Sequence, residues 1–340
     1  MKKLFIFLML LSLFAGCSKE KKGDTLFVYN WSYYIPQEVI DGFVNEYKVK
    51  VIYDVFSSNE EMYAKLQAGA TGYDITFPTN DYVSVMKKAG LLEKLDKSKL
   101  SNLKYLDKSL TDLITYDPGM EYSIPYVLGA TGIAVNKKKV KNYSKDFSLF
   151  ERSDLKGKMA LLDDMREVLG SALMTLGYSP NSVKAEELKQ AKALVMKWKK
   201  NILKFDAESF GKGYANGEYW VVHGYAENVF EELDDEMKNN TDFFLPEKGC
   251  QMYIDSMVIL KSSQNKELAY DFINYIHRPE VYAKVMDFVK SPSINEEARK
   301  ILKFQPRYKT EDLKRCIFKD DLGNDIELQN KVWQEIMVEN

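Results

Sequence analysis

The fold of this chain is decided near its start, by the stretch Tyr29-Asn30-Trp31-Ser32-Tyr33-Tyr34-Ile35-Pro36. The stretch follows an apolar run at residues 26–28, which predicts the first strand. Pro36 can open a helix, because the first turn of a helix has no need of the missing N–H. Four aromatic rings, an amide and a hydroxyl therefore lie at the end of a strand, where open α/β sheets bind ligands. Taken alone, the stretch fits a packed aromatic turn as well as it fits a binding segment.

The segments that follow alternate between helix and strand patterns. Apolar residues recur at helical spacing after Pro36, and residues 49–56 are β-branched and aromatic, which predicts a second strand. A second helix pattern leads to a third strand at residues 73–77, and Asn80 or Asp81 can cap the helix after it. The order β-α-β-α-β-α indicates a layered α/β lobe with a mostly parallel sheet.

Composition limits the class of protein. The chain has 340 residues, of which 45% are apolar and 29% charged, so we expect a globular protein with two cores. Its net charge is −2 and it has no basic block, which argues against nucleic acid as a partner. Two histidines, three cysteines and no Cys-x-x-Cys motif argue against a zinc or redox site, so no cofactor is expected.

The N-terminus has the pattern of a bacterial lipoprotein signal. Two lysines precede an apolar run, which ends at the lipobox-like segment Leu13-Phe14-Ala15-Gly16-Cys17. We expect residues 1–16 to be a signal peptide and residues 17–24 to be the lipidated Cys17 and a tether, which would anchor the protein to a membrane in the periplasm. The alternative is a short buried or membrane-spanning helix, but the apolar run is too short to cross a bilayer comfortably.

Processing at Cys17 would change both the charge and the compartment of the protein. Loss of the two N-terminal lysines leaves 46 basic and 50 acidic side chains, a net charge of −4. Cys250 and Cys316 would then lie in an oxidising compartment, where they could pair. Their spacing alone does not decide whether they do.

No catalytic motif is found, whether a Gly-rich phosphate loop, GxSxG or HExxH. What recurs instead is an acidic or polar residue beside aromatic residues, at the ends of predicted strands. The instances are Trp31-Ser32-Tyr33-Tyr34, Thr79-Asn80-Asp81-Tyr82, Asp163-Asp164 with Glu167, Tyr225 with Glu227, and Tyr253-Ile254-Asp255-Ser256. Such a set suits a ligand that is cationic at its ends and apolar between them, because carboxylates pair with ammonium groups and ring faces attract them.

Each of these instances has another interpretation. Asp164 and Glu167 have the spacing of a helix cap, Asp255 could cap a turn, and Tyr225 and Tyr253 could be core aromatics. The same acids could also form the acid/base pair of a hydrolase, either Asp164 with Glu167 or Asp255. The sequence gives no sign of the raised carboxyl pKa that such a mechanism needs, so we expect a binding protein and not an enzyme.

Several motifs together resemble the spermidine/putrescine-binding proteins of bacterial ABC importers, in unbroken order from about residue 25 to about residue 299. These motifs are Tyr29-Asn30-Trp31-Ser32-Tyr33-Tyr34-Ile35-Pro36, Ser58-Asn59-Glu60-Glu61-Met62-Tyr63-Ala64-Lys65-Leu66, Tyr122-Ser123-Ile124-Pro125-Tyr126 with Gly129-Ala130-Thr131, Asp163-Asp164-Met165-Arg166-Glu167, and Ile254-Asp255-Ser256. The resemblance implies a two-lobe periplasmic-binding-protein fold of the α/β class, class II-like. It also implies a polyamine in the interlobe cleft, hinge closure on that ligand, and docking of the closed form on the permease subunits of an ABC transporter.

The sequence also predicts which residues belong to each lobe. Residues 129–135 predict a strand that leaves the first lobe. We therefore expect the first α/β lobe at residues 25–132 plus 255–298, and the second at residues 133–254 plus 299–340.

Ten positions match the family motifs as ligand-binding residues, and none is expected to be catalytic. They are Trp31, Ser32, Tyr34, Thr79, Asp81, Asp164, Glu167, Tyr225, Tyr253 and Asp255. By this resemblance Asp164 and Glu167 hold one amine end of the ligand and Asp255 holds another, while the rings form an aromatic wall.

Four positions depart from the family pattern. Tyr33 stands where members carry an acid, Asp81 where spermidine binders carry Tyr, and Ser291 and Lys319 where the family has Tyr and Gln. A lysine that faces a polycation would repel it, so either Lys319 pairs outward with the acids next to it or the ligand differs in length or charge. The choice between putrescine and spermidine stays open, and another small organic cation is the alternative ligand.

Overall fold

The strands of the protein form two separate sheets. The computed structural model describes residues 24–70 and 72–339. The strands are β1 (Thr25–Trp31), β2 (Lys50–Phe56), β3 (Ile75–Thr76), β4 (Ile124–Ala130), β5 (Gly132–Asn136), β6 (Met159–Leu161), β7 (Lys204–Phe205), β8 (Val221–Gly224), β9 (Thr241–Phe244), β10 (Gln251–Ile259) and β11 (Ile317–Phe318). The predicted signal peptide, Cys17 and all of the tether before Asp24 lie outside the described residues.

Helices cover both sheets. The α-helices are α1 (Gln37–Tyr47), α2 (Asn59–Gln67), α3 (Asn80–Lys88), α4 (Lys108–Thr111), α5 (Met165–Thr175), α6 (Ala185–Lys199), α7 (Phe210–Ala215), α8 (Ala226–Glu231), α9 (Asp235–Asn240), α10 (Lys266–Ile276), α11 (Pro279–Val289), α12 (Glu296–Arg299) and α13 (Ile326–Val338). Short 3-10 helices lie at Lys97–Lys99, Ser101–Tyr105, Phe147–Glu151, Ser153–Leu155, Thr310–Arg315 and Gly323–Asp325.

The first sheet has the strand order β11-β10-β3-β1-β2, and β4 also pairs with β10. β1 is parallel to both β2 and β3, which confirms the predicted β-α-β-α-β-α order. β10 runs antiparallel to β3 and to β4. Because β1, β2 and β3 are parallel, their carboxyl ends meet at one edge of the sheet, and β10 brings its own side chains to the same edge.

The second sheet has the strand order β7-β6-β8-β5-β9. β5 is antiparallel to β8 and β9, whereas β6 is parallel to β7 and β8. One side of this sheet packs in a core of its own around Trp198, which is fully buried and stacks on Phe147 with ring centroids 5.3 Å apart. Buried residues on its other side, such as Val222, belong to the same cluster as the core of the first sheet. Each lobe therefore has its own sheet and buries an apolar face against helices.

The chain crosses between the sheets at Thr131. The sequence predicted a strand over residues 129–135 that leaves the first lobe. The chain does pass to the other sheet there, but the prediction of a single strand is wrong. β4 ends at Ala130 in the first sheet and β5 begins at Gly132 in the second. Apolar residues continue through the crossing because it is buried, so the pattern shows no break.

Two further crossings join the lobes. The chain returns from β9 in the second sheet to β10 in the first, and it crosses again after β11 to reach α13, which packs against α5 and α6. A disulfide joins Cys250 to Cys316, just before β10 and β11, so the pairing that the sequence left open is present. The predicted lobe limits stay a prediction, because sheet membership alone does not fix where a rigid lobe begins.

The start of α3 differs from its prediction in a way that matters for the site. The residue that precedes the helix is Thr79, and neither Asn80 nor Asp81 is the cap. The Thr79 side chain makes no capping hydrogen bond to the helix. Its hydroxyl donates instead to Asp255, 2.8 Å away. The hydroxyl is thus used to connect α3 with β10.

Candidate functional site

A cavity of about 730 Å³ lies between the two lobes, at the edge where the parallel strands of the first sheet end. Its walls combine aromatic rings, hydroxyls, amides, carboxylates and one ammonium group. The lining residues are Trp31, Ser32, Tyr34, Phe56, Ser57, Asn59, Thr79, Asp81, Tyr225, Glu227, Asn228, Tyr253, Asp255 and Lys319. Eight of the ten predicted ligand-binding residues are in this set. The other two, Asp164 and Glu167, do not line the cavity.

The stretch after β1 divides between packing and lining. Tyr29 is fully buried and stacks on Tyr73 with ring centroids 4.6 Å apart, so it belongs to the core. Trp31 is fixed at the cavity wall by its indole N–H, which donates to the Phe77 carbonyl over 2.9 Å. Tyr33 has a left-handed backbone with φ 55° and is 89% exposed, so its ring turns away from the site. Both interpretations of the stretch are therefore correct, each for different residues.

Asp255 is the buried acid of the first-lobe wall. The residue is 5% exposed, and its carboxylate accepts hydrogen bonds from the Tyr34 hydroxyl and from Thr79 Oγ1. Asn59 in turn donates to Thr79 Oγ1 over 2.8 Å, which holds the hydroxyl in place. Burial raises the pKa of Asp255 to about 6, even though the two hydroxyls act to lower it. Among the described residues no lysine or arginine forms a salt bridge with Asp255, and an ammonium group in the cavity could supply that partner.

Glu227 is the acid of the opposite wall. It lies in the first turn of α8, two residues after Tyr225, whose ring packs edge-on against Tyr253. The Tyr253 hydroxyl donates to Glu227 Oε1 over 3.4 Å. Burial raises the pKa of Glu227 to about 7. Two carboxyls on opposite walls are therefore both costly to ionise without a cation, and aromatic rings lie between them.

Asp81 adds a third acid to the cavity. Its Oδ1 atom is buried and accepts no hydrogen bond from the described residues. Burial raises the pKa of Asp81, although Lys319 and Arg166 oppose that rise. A buried acceptor without a donor is unusual in native proteins, and it is what a site for a hydrogen-bond donor would show before the ligand arrives.

Asp164 and Glu167 lie behind the cavity, in the second lobe. Asp164 caps α5, with Oδ1 accepting from the Glu167 N–H over 3.0 Å, so the capping interpretation of this pair is correct for Asp164. Glu167 is 1% exposed, and its Oε1 lies 2.8 Å from the Lys319 ammonium. Outward pairing of Lys319 with the neighbouring acids is therefore wrong, because Lys319 points inward to Glu167.

Several lining residues were not predicted. Phe56 ends β2 and Ser57 and Asn59 follow it at the same sheet edge, while Asn228 follows Glu227 on α8. The signal for the first three was the parallel order of the strands, which brings the end of β2 beside the ends of β1 and β3. Glu227 stood next to Tyr225 in the recurring acid-and-ring pattern. Ser291, by contrast, is buried and lies outside the cavity lining.

Two other features, a membrane-spanning helix and a metal site, were looked for in the described residues. Within residues 24–70 and 72–339, we find no helix that is both long enough and apolar enough to span a bilayer. Over the same residues, no cluster of three or more His, Cys, Asp or Glu side chains is arranged to hold a metal ion.

Two α/β lobes joined by extended crossings, with an acid- and ring-lined cavity between them, define the two-lobe class of solute-binding folds. Residues 38–310 match the family model of bacterial extracellular solute-binding proteins, and the chain belongs to that family. The predicted fold class is thereby confirmed.

Two related proteins support the resemblance to spermidine/putrescine-binding proteins. The chain is 36% identical over 300 residues to the putrescine-binding periplasmic protein SpuD of Pseudomonas aeruginosa, covering 84% of this chain and 82% of that one. It is 35% identical over 294 residues to the spermidine/putrescine-binding periplasmic protein of Escherichia coli, covering 86% and 84%. The resemblance to spermidine/putrescine-binding proteins is thereby confirmed.

Solved structures agree with the fold. The TpPotD lipoprotein of Treponema pallidum superposes with a TM-score of 0.87 at 45% identity, covering 92% of this chain and 99% of that one. The spermidine/putrescine substrate-binding protein PotD of Streptococcus pneumoniae superposes with a TM-score of 0.86 at 27% identity, covering 93% and 99%.

Proposed function

We propose that this protein captures a polyamine in the cavity between its lobes and delivers it to the permease of an ABC importer. The observation that carries the proposal is the placement of Asp255 and Glu227 on opposite walls of one cavity, with Asp255 buried and Glu227 half-buried. Neither acid forms a salt bridge among the described residues, and burial raises the pKa of each. A ligand with an ammonium group at each end would satisfy both acids. The names of the relatives support the same ligand class.

The chemistry between the two acids also suits a polyamine. Trp31, Tyr34, Tyr225 and Tyr253 present ring faces and edges to the cavity. Rings exclude water from methylene groups, which is worth about 0.8 kcal/mol for each CH₂ buried. They also attract ammonium groups through the ring quadrupole. The buried Oδ1 of Asp81 offers a further acceptor for an N–H donor.

Isothermal titration calorimetry of the purified protein with spermidine and with putrescine tests this proposal. We expect at least one of them to bind with submillimolar affinity or better. Butylamine, which has one ammonium group and a similar chain, is the matched control and should bind more weakly. Failure of both polyamines to bind at submillimolar concentration would refute the proposal.

The proposal includes release of the ligand without chemical change, so the protein is a carrier and not an enzyme. Its relatives carry names of binding proteins. Proton NMR of putrescine and spermidine after long incubation with the protein should show the starting compounds alone. A new amine or aldehyde signal would contradict this part.

We also infer that a lipid on Cys17 holds the protein at a membrane in the periplasm. The lipobox-like segment supports this, and the relative from Treponema pallidum is named a lipoprotein. Mass spectrometry of the N-terminal peptide should find the acylated cysteine. A Cys17→Ala variant should move from the membrane fraction to the soluble fraction, and an unchanged membrane fraction would contradict the inference.

A further inference from the structure

A second cavity, of about 720 Å³, adjoins the one described above, and we call the two the outer and the inner cavity. Ser32, Tyr34, Glu227 and Asn228 line both, so the two spaces meet at these residues. The Tyr33 ring, which turns away from the inner cavity, lines the outer one. A ligand held in the inner cavity could therefore extend past these shared residues into the outer cavity.

Arg307 presents a guanidinium group to the outer cavity. The guanidinium carbon lies 4.1 Å from the centre of the Phe230 ring and 5.8 Å from that of the Phe304 ring. Its Nε atom is buried, and among the described residues the guanidinium forms no hydrogen bond or salt bridge. Stacking covers the faces of the group, whereas its five N–H donors lie in its plane and need acceptors. The group is thus placed by the rings but has no oxygen partner within the described chain.

The segment that carries Arg307 is fixed on both sides. Asp287 Oδ1 accepts hydrogen bonds from the backbone N–H groups of residues 303–304, over 2.9 and 2.7 Å. After Arg307, the Tyr308 hydroxyl accepts from the Ala130 N–H over 3.2 Å. The guanidinium is therefore held in place before any ligand arrives, so a ligand need not order it.

The guanidinium lies near an acid with which it does not pair. Phe230 follows Glu227 by three residues on α8, and side chains at that spacing are neighbours, with Cβ atoms about 5–6 Å apart. Glu227 is in contact with the Tyr253 hydroxyl and Arg307 with the two rings, but no salt bridge joins the acid to the base. An unpaired carboxyl and an unpaired guanidinium at such a spacing match the ammonium and the carboxylate of an amino acid.

We propose that the outer cavity is a carboxylate subsite, in which Arg307 binds the carboxylate of a diamine that carries one beside an ammonium group. The inference rests on the proposed function and widens its ligand class from polyamines to diamino acids. One ammonium group pairs with Asp255 and the other with Glu227, as for a polyamine, while the carboxylate crosses into the outer cavity. A guanidinium suits this role because its N–H donors form two parallel hydrogen bonds to the oxygens of one carboxylate.

The charged groups of the outer cavity favour a carboxylate once an ammonium group has bound. The lining has three bases, Lys238, Lys290 and Arg307, and two acids, Glu227 and Glu231. An ammonium group at Glu227 leaves three positive charges against one negative charge, which attracts an anion. Each of the two lysines already has an oxygen partner nearby. Of these three bases, Arg307 is the one whose donors are left for the carboxylate.

Ornithine is the probe for the first test, because it is putrescine with a carboxylate on the carbon that carries one amine. In calorimetric titration of the unmodified protein, ornithine should bind at least as tightly as putrescine. Weaker binding of ornithine than of putrescine would overturn the inference and leave the proposed function standing. Absence of binding for both putrescine and spermidine would instead overturn the proposed function, and the inference with it.

The second test removes the guanidinium with Arg307→Gln. The ratio of ornithine affinity to putrescine affinity should fall at least tenfold, because only ornithine has a carboxylate to lose its partner. Putrescine binding in the same titrations shows that the variant is folded. Arg307→Lys keeps the charge but loses the parallel donors, so the ratio should fall at least threefold. This variant keeps the inference testable if the glutamine variant does not fold.

Lys309→Gln is the matched control. Lys309 is exposed, lies two residues after Arg307 and does not line the outer cavity. Loss of its charge should leave the affinity ratio unchanged. An unchanged ratio in Arg307→Gln would overturn the inference. An equal fall in Lys309→Gln would also overturn it, because the effect would then come from the field of the surface and not from a contact with Arg307.

Discussion

Replacement of Asp255 by asparagine should weaken polyamine binding in a way that depends on pH. The carboxylate is buried and receives two hydroxyl donors, so it is fixed toward the cavity. Asparagine keeps the size and removes the charge. Loss of one partner of a buried charge pair costs about 2–5 kcal/mol, which is roughly 30-fold or more in the dissociation constant. We expect this loss at about pH 8, where Asp255 is ionised.

The effect should shrink as the pH falls. The pKa of Asp255 is raised to about 6. Below that value the carboxyl must release a proton before it can hold an ammonium group, so the unmodified protein loses affinity. At about pH 5 only about one molecule in eleven has the charge, which is roughly a tenfold loss. The asparagine variant has no such proton to lose, and alkyl ammonium groups remain charged throughout this range. The ratio of the two dissociation constants should therefore fall about tenfold between pH 8 and pH 5.

Calorimetric titration of both proteins with putrescine at several pH values measures this ratio. Glu227 also titrates in this range, but it is common to both proteins and cancels from the ratio. Asp41→Asn, an exposed position on α1, is the matched control and should bind normally. Unchanged affinity of Asp255→Asn at pH 8 would place the ligand elsewhere. A ratio that stays constant from pH 8 to pH 5 would refute the reasoning about the buried carboxyl.

Three further predictions concern the walls of the site and its supports. Glu227→Gln should raise the melting temperature of the ligand-free protein at about pH 8 but not at about pH 4. Folding raises the pKa of Glu227 to about 7, so ionisation removes up to about 3 kcal/mol of stability as the pH rises from about 4.5 to 7. Gly129→Ala should weaken putrescine binding about tenfold in calorimetry, because a Cβ there would meet the Tyr253 ring and hydroxyl at 2.5–2.8 Å and displace them. Serine at Cys250 and Cys316 should lower the unfolding free energy by roughly 4 kcal/mol in urea titration, since the bond spans 66 residues.

Each of these has a result that would contradict it. Equal melting temperatures for Glu227→Gln and the unmodified protein at pH 8 would mean that ionisation of Glu227 does not destabilise the folded protein. Normal putrescine affinity in Gly129→Ala would mean that the Tyr253 ring does not contribute to the wall. A loss below about 1 kcal/mol in the cysteine variant would show that the unfolded chain is not constrained by the bond.

The sequence predicted the first lobe well because its elements have clear periods. The strand at β1, the helix after Pro36 and the strands β2 and β3 lie where alternating and helical patterns placed them. The exit from the first sheet was expected within residues 129–135, but the break of the strand at Thr131 was not, for a physical reason. Residues 124–135 on both sides of it are buried, so the pattern runs through the crossing without an exposed polar break. Periodicity reports burial, and it does not report which sheet a strand joins.

The site was predicted in part, and the reason again lies in what sequence patterns contain. Trp31 ends a parallel strand, and Tyr34 and Thr79 follow parallel strands, so the topology alone brings them to one edge. The pairing of Lys319 with Glu167 joins residues 152 positions apart, and no local pattern encodes it. The inward direction of Lys319 depends on the pairing of β11 with β10, which only the folded chain shows.

The three crossings between the lobes have a practical consequence. β1 lies in the first sheet, whereas α13 packs against helices of the second lobe. The two ends of the folded region therefore pack against different sheets, and their separation would follow any closure of the cleft. Fluorescent proteins fused before β1 and after α13 would then report ligand capture as a change in energy transfer, without any label inside the binding site. Such a fusion would turn the carrier into a sensor of its ligand.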